Sequence, residues 1–543
     1  MSGRKTEFDY VIVGAGSAGC VLANRLSADP SIEVCLVEAG SDDNSIGIRM
    51  PAALTIPIES DKYNWKFESE PEAGLNGRLI GQARGRGLGG SSSINGMVFA
   101  RGSHEDYDAW RAFGIAGWSF QECLPYFRKL EAFELGTDPV RGGHGPISVV
   151  RSKAAHPLYE AFLNAGKEFG LGDAGDYNSG NAEGVHVTQA TIRDGIRCST
   201  SLAYLRPAAA RANLTVLTRS LVERIDFDAD VAVGVTVTRR GRTLTLRAGR
   251  EVILCAGTIG TPHLLLLSGI GDREHLRSHG IESRAHVPGV GADLQDHVVA
   301  SLRFRSQPGI SLAGKLSRWG RVRLGIEWML FKSGLGATNF FEVGAFFKSG
   351  ADAEYFNMQH EFLPFLADFQ SGKVVIADGF QYFVSQMRPH SRGSVRLKTA
   401  NPNHKPAIRF NYLSDERDVA EMVAGIRKTR AMAEQSAWHR YRSGVVDAPA
   451  ENASDADIAA WLRTVANTEH HPTSTCRMGT DDLAVTDEAG LVRDVKGLRI
   501  VDGSILPRIP SGNVNAPIIM VAEKLADAIA SGFLRSKTCP QRK

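Results

Sequence analysis

The chain has 543 residues, of which 23% are charged and 43% hydrophobic; this is globular usage and excludes a disordered chain or a membrane bundle. A formal net charge of +3 is too small at this length to argue for nucleic acid, and no uncharged apolar run approaches a membrane span. The length exceeds what one hydrophobic core usually fills, so two domains or one large composite are expected. The N-terminus, "MSGRKTEFDYVIVGAG", enters a strand-like run directly, with no apolar leader and cleavage site. Seven cysteines (Cys20, Cys35, Cys123, Cys198, Cys255, Cys476, Cys539) are odd in number and never spaced CxxC. That pattern favours reduced thiols, no structural zinc and a cytoplasmic setting, with contact at a membrane surface left open.

In chain order, "YVIV" reads as a short buried strand, "GAGSAG" as a turn, "CVLANRLSAD" as a helix and "VCLVEAG" as the next strand. Such alternation implies a parallel sheet. The texture returns in "REVILCAGTIGTPHLLLLSGIG", and again where "GLRIVDGSILP" leads into "NAPIIMVAEKLADAIASGF". Between these, "FQYFVSQMRP" and "GSVRLKT" alternate as antiparallel strands do, and "ERDVAEMVAGIRKTRAMAEQ" has helical spacing. The expected architecture is α/β: a discontinuous Rossmann-like domain (1–157, 213–308 and 461–543) with an inserted α+β substrate domain (158–212 and 309–460) containing an antiparallel sheet. The polar tail "SKTCPQRK" reads as a frayed terminus.

Gly14, Gly16 and Gly19 form GxGxxG between a strand and a helix, and Glu38 ends the next strand nineteen residues after Gly19. Gly14 permits the tight turn, Gly16 admits a pyrophosphate to the backbone, and Gly19 lets the helix pack on the sheet. The helix start at Ser17 then holds phosphate, and Glu38, followed by Ala39, accepts from a ribose hydroxyl. The acid disfavours a 2′-phosphate, which leaves FAD or NAD. A second stretch, "ARGRGLGGSSSINGMVFARG", packs six glycines and three consecutive serines into twenty positions. Its apolar end, "INGMVF", argues against a flexible linker. An ordered segment along a cofactor fits better, with close approach at Gly89 and Gly90 and amides available from Ser91 onward.

These stretches, with "GTIGTPHLLLLSGIG", "GVGADLQDH", "HPTSTCRMG", "GLRIVDGSILP" and "GNVNAP", resemble the glucose–methanol–choline family of flavoprotein oxidoreductases over essentially the whole chain. Within it, "GIEWMLFKSGLGATNFFEVGAFFKS", "MQHEFLPF" and "SQMRPHSRGSVRLKT" look most like choline dehydrogenases. The resemblance turns the choice of cofactor into FAD. It implies that Val222 and Ala256 flank the adenine, and that Asn95, Gly96, Met97 and Val98 approach the isoalloxazine. It further places Asp502 and Gly503 near the ribityl and pyrophosphate, with Asn515 and Pro517 beside the flavin. Members that bind flavin covalently carry a histidine where this chain has Ile94, so a noncovalent FAD is implied.

"TEHHPTSTCRMG" (468–479) holds two adjacent histidines. Zinc needs three or four ligands, and neighbouring side chains on an extended chain point apart, so no metal is expected. Alcohol oxidation needs a base for the hydroxyl proton and a carbon held over flavin N5. Histidine suits the first task, since its reference pKa of about 6.5 lies near working pH. The resemblance assigns the base to His471 and the orienting donor to Asn515, with His470 in the pocket wall.

The substrate is less determined. Relatives that oxidise choline place a glutamate two residues after the histidine of "LQDH", where this chain has Val299. Loss of a charge-assisted contact, about 1.5–3 kcal/mol, favours an uncharged primary or sugar alcohol over choline. Phe340, Phe341 and Glu342, with His360 and Phe362, are the residues expected to rebuild part of a cation cage. The resemblance implies a quinone or O2 as electron acceptor. A cyanohydrin-lyase-like flavoprotein is the non-redox alternative.

Overall fold

The structure is a computed structural model describing residues 5–368 and 374–531; the tail "SKTCPQRK" lies outside the described residues. The strand Val34–Val37 is buried at all four positions, as a strand covered on both faces must be. It pairs in parallel with Glu7–Val13 and with Leu214–Leu217. Glu7–Val13 pairs in parallel with the long strand Arg242–Leu254, whose last three residues pair in turn with Leu498–Ile500. The first half of that long strand instead joins an antiparallel hairpin, Ser220–Asp228 and Val231–Arg239. Helices Ser17–Leu26, Gly257–Leu267 and Asn515–Ala530 contribute to the same core.

The second sheet is antiparallel, in the order Arg442–Asp447, Val298–Ser306, Phe380–Gln386, Met358–Leu363, Val343–Phe347, Gly184–Val187, with Asn467–Thr468 also on Val298–Ser306. Two pieces fall differently from the expected boundaries. Val298–Ser306 and Asn467–Thr468 had been placed in the nucleotide-binding part, yet both are strands of this sheet. The reason is long-range pairing: after "LQDH" the chain runs straight into β-branched residues, and these pair with Phe380–Gln386 far along the chain.

Alternation divides this sheet sharply. His360, Ala345, Val384 and Ala300 occupy successive register positions on one face, against Phe162 and the helix Glu416–Met432. Val299, Ser385, Gln359, Glu361 and Phe383 occupy the other. That second face meets Asn513 through Gln359 and Glu361, and Glu469 through Ser385. No helix among the described residues is long and apolar enough to cross a membrane.

Candidate active site

The glycine turn after Glu7–Val13 is built tightly. Gly14 has φ +101°, and a Cβ there would lie 2.5 Å from the Cys255 carbonyl oxygen; a Cβ on Gly19 would lie 1.9 Å from the Gly14 oxygen. Between them, a Cβ on Gly16 would meet nothing nearer than 3.9 Å. Bare backbone therefore faces open space at the one glycine expected to meet a pyrophosphate. The second glycine-rich segment docks against it: Gly89 N donates to Ala15 O at 2.8 Å, and a Cβ on Gly90 would lie 2.7 Å from the Gly16 Cα.

Two helix N-termini converge here. Ser17 Oγ, at the start of Ser17–Leu26, donates to Asn515 Oδ1, at the start of Asn515–Ala530, at 2.7 Å. Neither helix carries a side-chain cap, so the first-turn N–H groups of both are left for an anionic or carbonyl ligand. The Glu38 carboxylate accepts from Ala15 N at 2.9 Å and Gly40 N at 2.7 Å, and burial raises its pKa. Each oxygen keeps a lone pair for a ribose hydroxyl. These features fit a dinucleotide-sized cofactor.

The other residues expected at the cofactor have different surroundings. Val222 is half-buried on its strand, Ala39 is half-buried, and Ala256 is exposed where helix Gly257–Leu267 begins. Arg197 Nη1 holds Asn95 through its backbone O at 2.6 Å and its side-chain Oδ1 at 2.8 Å. Asn339 Nδ2 donates to Gly96 O at 2.7 Å. Met97 (φ +63°) turns its side chain into a small cluster with Ala190 and Ile192, and Val98 bridges to Ala190. Ser91 Oγ accepts from Gly85 N. Asp502 spends its carboxylate within the protein, accepting from Gly257 N, Thr261 Oγ1, Ser504 N and Ser504 Oγ at 2.6–2.9 Å. Gly503 and Pro517 are buried beside it and in the last helix. Ile94 is buried with Ile48 and Tyr63.

The two histidines part because His470 is left-handed (φ +61°). Its Nδ1 meets Gln82 Oε1 at 2.6 Å, its N–H donates to Thr468 Oγ1 at 2.8 Å, and its carbonyl accepts from Arg84. His471 N donates to Asp296 Oδ1 at 2.7 Å, while Asp296 Oδ2 accepts from Tyr412 and Thr468 hydroxyls at 2.5 Å. The His471 ring lies between His297 (Nδ1 to Nδ1, 3.1 Å) and Asn513, whose Nδ2 is 3.4 Å from Nε2. An amide N–H can only donate, so Nε2 is the acceptor and the His471 proton sits on Nδ1, directed at His297. Burial holds His471 well below the usual histidine range, and the positive charge of Arg84 pushes the same way. His297 and His470 are pushed to about 3 by burial. All three rings are neutral at pH 7.

The partner of His471 is thus Asn513, correcting the expectation of Asn515. Both asparagines lie in "GNVNAP", but Asn515 is the first helical residue and turns to Ser17. Asn513 precedes the helix and reaches across to Glu361 Oε1 (3.1 Å) and Gln359 Nε2 (3.3 Å).

Four substrate-pocket expectations also change. His360 is 1% exposed and bonds Thr429 Oγ1 at 2.7 Å among Phe347 and Tyr382, because its strand position faces the core. Phe340 and Phe362 are likewise core residues. Glu342 is 8% exposed and spent on Ala154 N at 2.6 Å and Thr338 Oγ1 at 2.5 Å. Phe341 keeps a place near the cofactor segment, its ring 3.8 Å from where a Gly96 Cβ would be.

In their stead the structure brings Glu361 and Glu469 together. Glu469, the residue before His470, accepts from Ser385 Oγ, and Ser385 pairs in register with Val299. Burial raises the pKa of both carboxyls, and the Glu361 charge raises that of Glu469 further. The sequence signal for Glu361 was the alternation in "MQHEFLPF", one residue out from the histidine singled out. His297 and Asp296 sat unassigned in "LQDH". Among the described residues no group of three or more His, Cys, Asp or Glu is placed to hold a metal.

Residues 8–299 match the N-terminal part, and residues 389–522 the C-terminal part, of the family described as GMC oxidoreductase. The chain is 45% identical over 526 residues to an oxygen-dependent choline dehydrogenase of Vibrio vulnificus, covering 96% of this chain and 94% of that one. It is 44% identical over 528 residues to the oxygen-dependent choline dehydrogenase of Photobacterium profundum, covering 96% and 93%. Among solved structures it is similar to pyridoxine 4-oxidase from Mesorbium loti (TM-score 0.88, 29% identity, covering 96% and 99%). It is also similar to Aspergillus oryzae formate oxidase (TM-score 0.91, 26% identity, covering 98% and 99%). The chain belongs to the GMC oxidoreductase family and is an FAD-dependent enzyme of alcohol oxidation.

Proposed function

We propose that this enzyme oxidises a primary alcohol to its aldehyde, with His471 as the base that takes the hydroxyl proton. The observation that carries this reading is the His471 Nε2 lone pair, held neutral and faced by the Asn513 amide at 3.4 Å. FAD, when bound, supplies the acceptor for the hydride. An alcohol oxygen between His471 and Asn513 gives its proton to Nε2 while the Asn513 N–H steadies the developing negative charge. His297 accepts from the other ring nitrogen and fixes the tautomer. Asp296 holds the backbone of the base, and His470, tied to Gln82, closes the wall.

Glu361 supplies the negative charge absent at Val299, beside a Glu469 that burial and this same charge keep protonated, so the first candidate substrate is an alcohol carrying an ammonium group, such as choline. The printed names of the relatives support the same class. Val299 itself favours a second reading, an uncharged primary or sugar alcohol. The acceptor is a quinone or O2, and the relatives' names favour oxygen. Ile94 in the slot of the covalent members supports noncovalent FAD. The six described cysteines, all unpaired and buried, support a cytoplasmic setting. Anaerobic mixing with alcohol, followed by flavin absorbance, tests the role of His471. His471→Ala slows bleaching about 10²- to 10⁴-fold, the range for a lost general base, at unchanged FAD content; normal bleaching by that variant overturns the assignment.

A further inference from the structure

The helix Arg318–Phe331 buries only Leu324 and Trp328, with Trp328 Nε1 anchored on Gly195 O at 2.7 Å. The rest of its apolar content faces outward. Trp319 is 80% exposed and Leu330 68%, and Val322, Ile326 and Met329 are about half exposed. Stepping about 100° per residue, these five side chains fall within an arc of roughly 100° opposite the buried pair. Arg318 borders the arc on one side and Arg323 on the other, both exposed, while Arg321, also exposed, lies round toward Trp328. From Lys315 to Lys332 the segment carries five basic residues against one acid, Glu327.

A monomer surface seldom presents a continuous apolar stripe of this kind without an occupant. A protein partner would be matched by mixed polarity around an apolar centre. Here the rim is almost uniformly basic. An apolar stripe with arginines along both edges matches a surface whose interior is hydrocarbon and whose headgroups are anionic. We propose that this helix docks the enzyme in the plane of an anionic lipid surface, with Trp319, Val322, Ile326, Met329 and Leu330 seated below the headgroups. At fourteen residues it is too short to span, and it lies flat. Its C-terminal end leads within ten residues to Phe341, so the docked face sits on the same segment as the cofactor groove.

The test is co-sedimentation of the FAD-loaded full chain with vesicles of phosphatidylcholine alone or with 30 mol% phosphatidylglycerol. The expected result is binding to the anionic vesicles, weakened by 0.5 M salt. The double variant Val322→Ser/Leu330→Ser and the charge variant Arg318→Glu/Arg323→Glu each bind at least tenfold less. Both retain full FAD and normal flavin bleaching by alcohol, which separates loss of docking from misfolding. Parent protein that stays in the supernatant with anionic vesicles overturns the proposal, as does undiminished binding by both variants. A parent that sediments as a dimer in the ultracentrifuge, is broken to monomer by Val322→Ser/Leu330→Ser and ignores lipid assigns the face to a second copy and overturns it equally.

Discussion

The two sheets solve opposite problems. The parallel sheet presents backbone at its glycine turn: bare glycines, two uncapped helix starts and a carboxylate set by two amides. The antiparallel sheet works with side chains, and each of its active positions depends on which face a residue happens to meet. A contact made by backbone tolerates no added atom, whereas one made by side chains tolerates exchange at every second position. The largest effects of substitution should therefore lie in the first region and the most selective ones in the second.

Gly14→Ala is the most severe test. Its Cβ would stand 2.5 Å from a carbonyl oxygen at a φ of +101°, and neither atom can yield cheaply. The purified variant should be colourless, with no flavin absorbance; a yellow protein with normal FAD content would show that the turn is less rigid than its geometry. Next in size is the contrast between the two asparagines. Asn513→Ala should slow anaerobic flavin bleaching about 10²- to 10³-fold, the usual cost of losing a donor to a developing oxyanion. Asn515→Ala should weaken FAD retention while leaving the bleaching rate of the loaded fraction within about threefold of the parent, since its partner is Ser17. Equal rate losses in the two variants would return Asn515 to the chemistry.

A more selective effect belongs to Glu361→Gln. KM for choline should rise about tenfold, a charge-assisted contact's worth, while KM for the uncharged isostere 3,3-dimethylbutan-1-ol stays put. If both alcohols suffer alike, the carboxylate is structural and the reading from Val299 prevails. The smallest effect is thermodynamic. Burial and the Glu361 charge raise the Glu469 carboxyl to about 8, so the folded protein binds a proton that the unfolded chain releases near the ordinary range of about 4.3. Native stability from this group is full below that range and is lost as pH rises toward 8. The melting temperature of Glu469→Gln should therefore gain on that of the parent between pH 5 and pH 8. A constant gap would mean that the pair does not share its charge burden as described.

The same contrast explains what the sequence could be read for. GxGxxG, the acid after it and the serine-glycine segment announce themselves because a left-handed or crowded backbone demands glycine wherever it occurs. His471 was singled out by the family resemblance of its motif, and its neutrality follows from burial. Asn513 was not, because two asparagines in six residues differ only in whether the helix has begun. His360 and Glu361 are adjacent, and one step along a strand exchanges core for pocket. Glu342 could be read as pocket or as internal tie, and only Ala154 and Thr338, far apart in the chain, decide it. Strand Val298–Ser306 gives no local sign of which sheet it will join, so its pairing with Phe380–Gln386 was not legible.

The left-handed backbone at His470 has an economic consequence for the fold. A non-glycine residue in that conformation costs about 1–2 kcal/mol, which is a sizeable part of a domain's net stability. Asparagine suits the conformation better and can still reach toward Gln82. His470→Asn is thus a candidate stabilising change whose harm would appear in turnover. Such a site marks where heat resistance and speed are traded against each other, and engineers seeking a hardier catalyst should expect to meet that exchange here first.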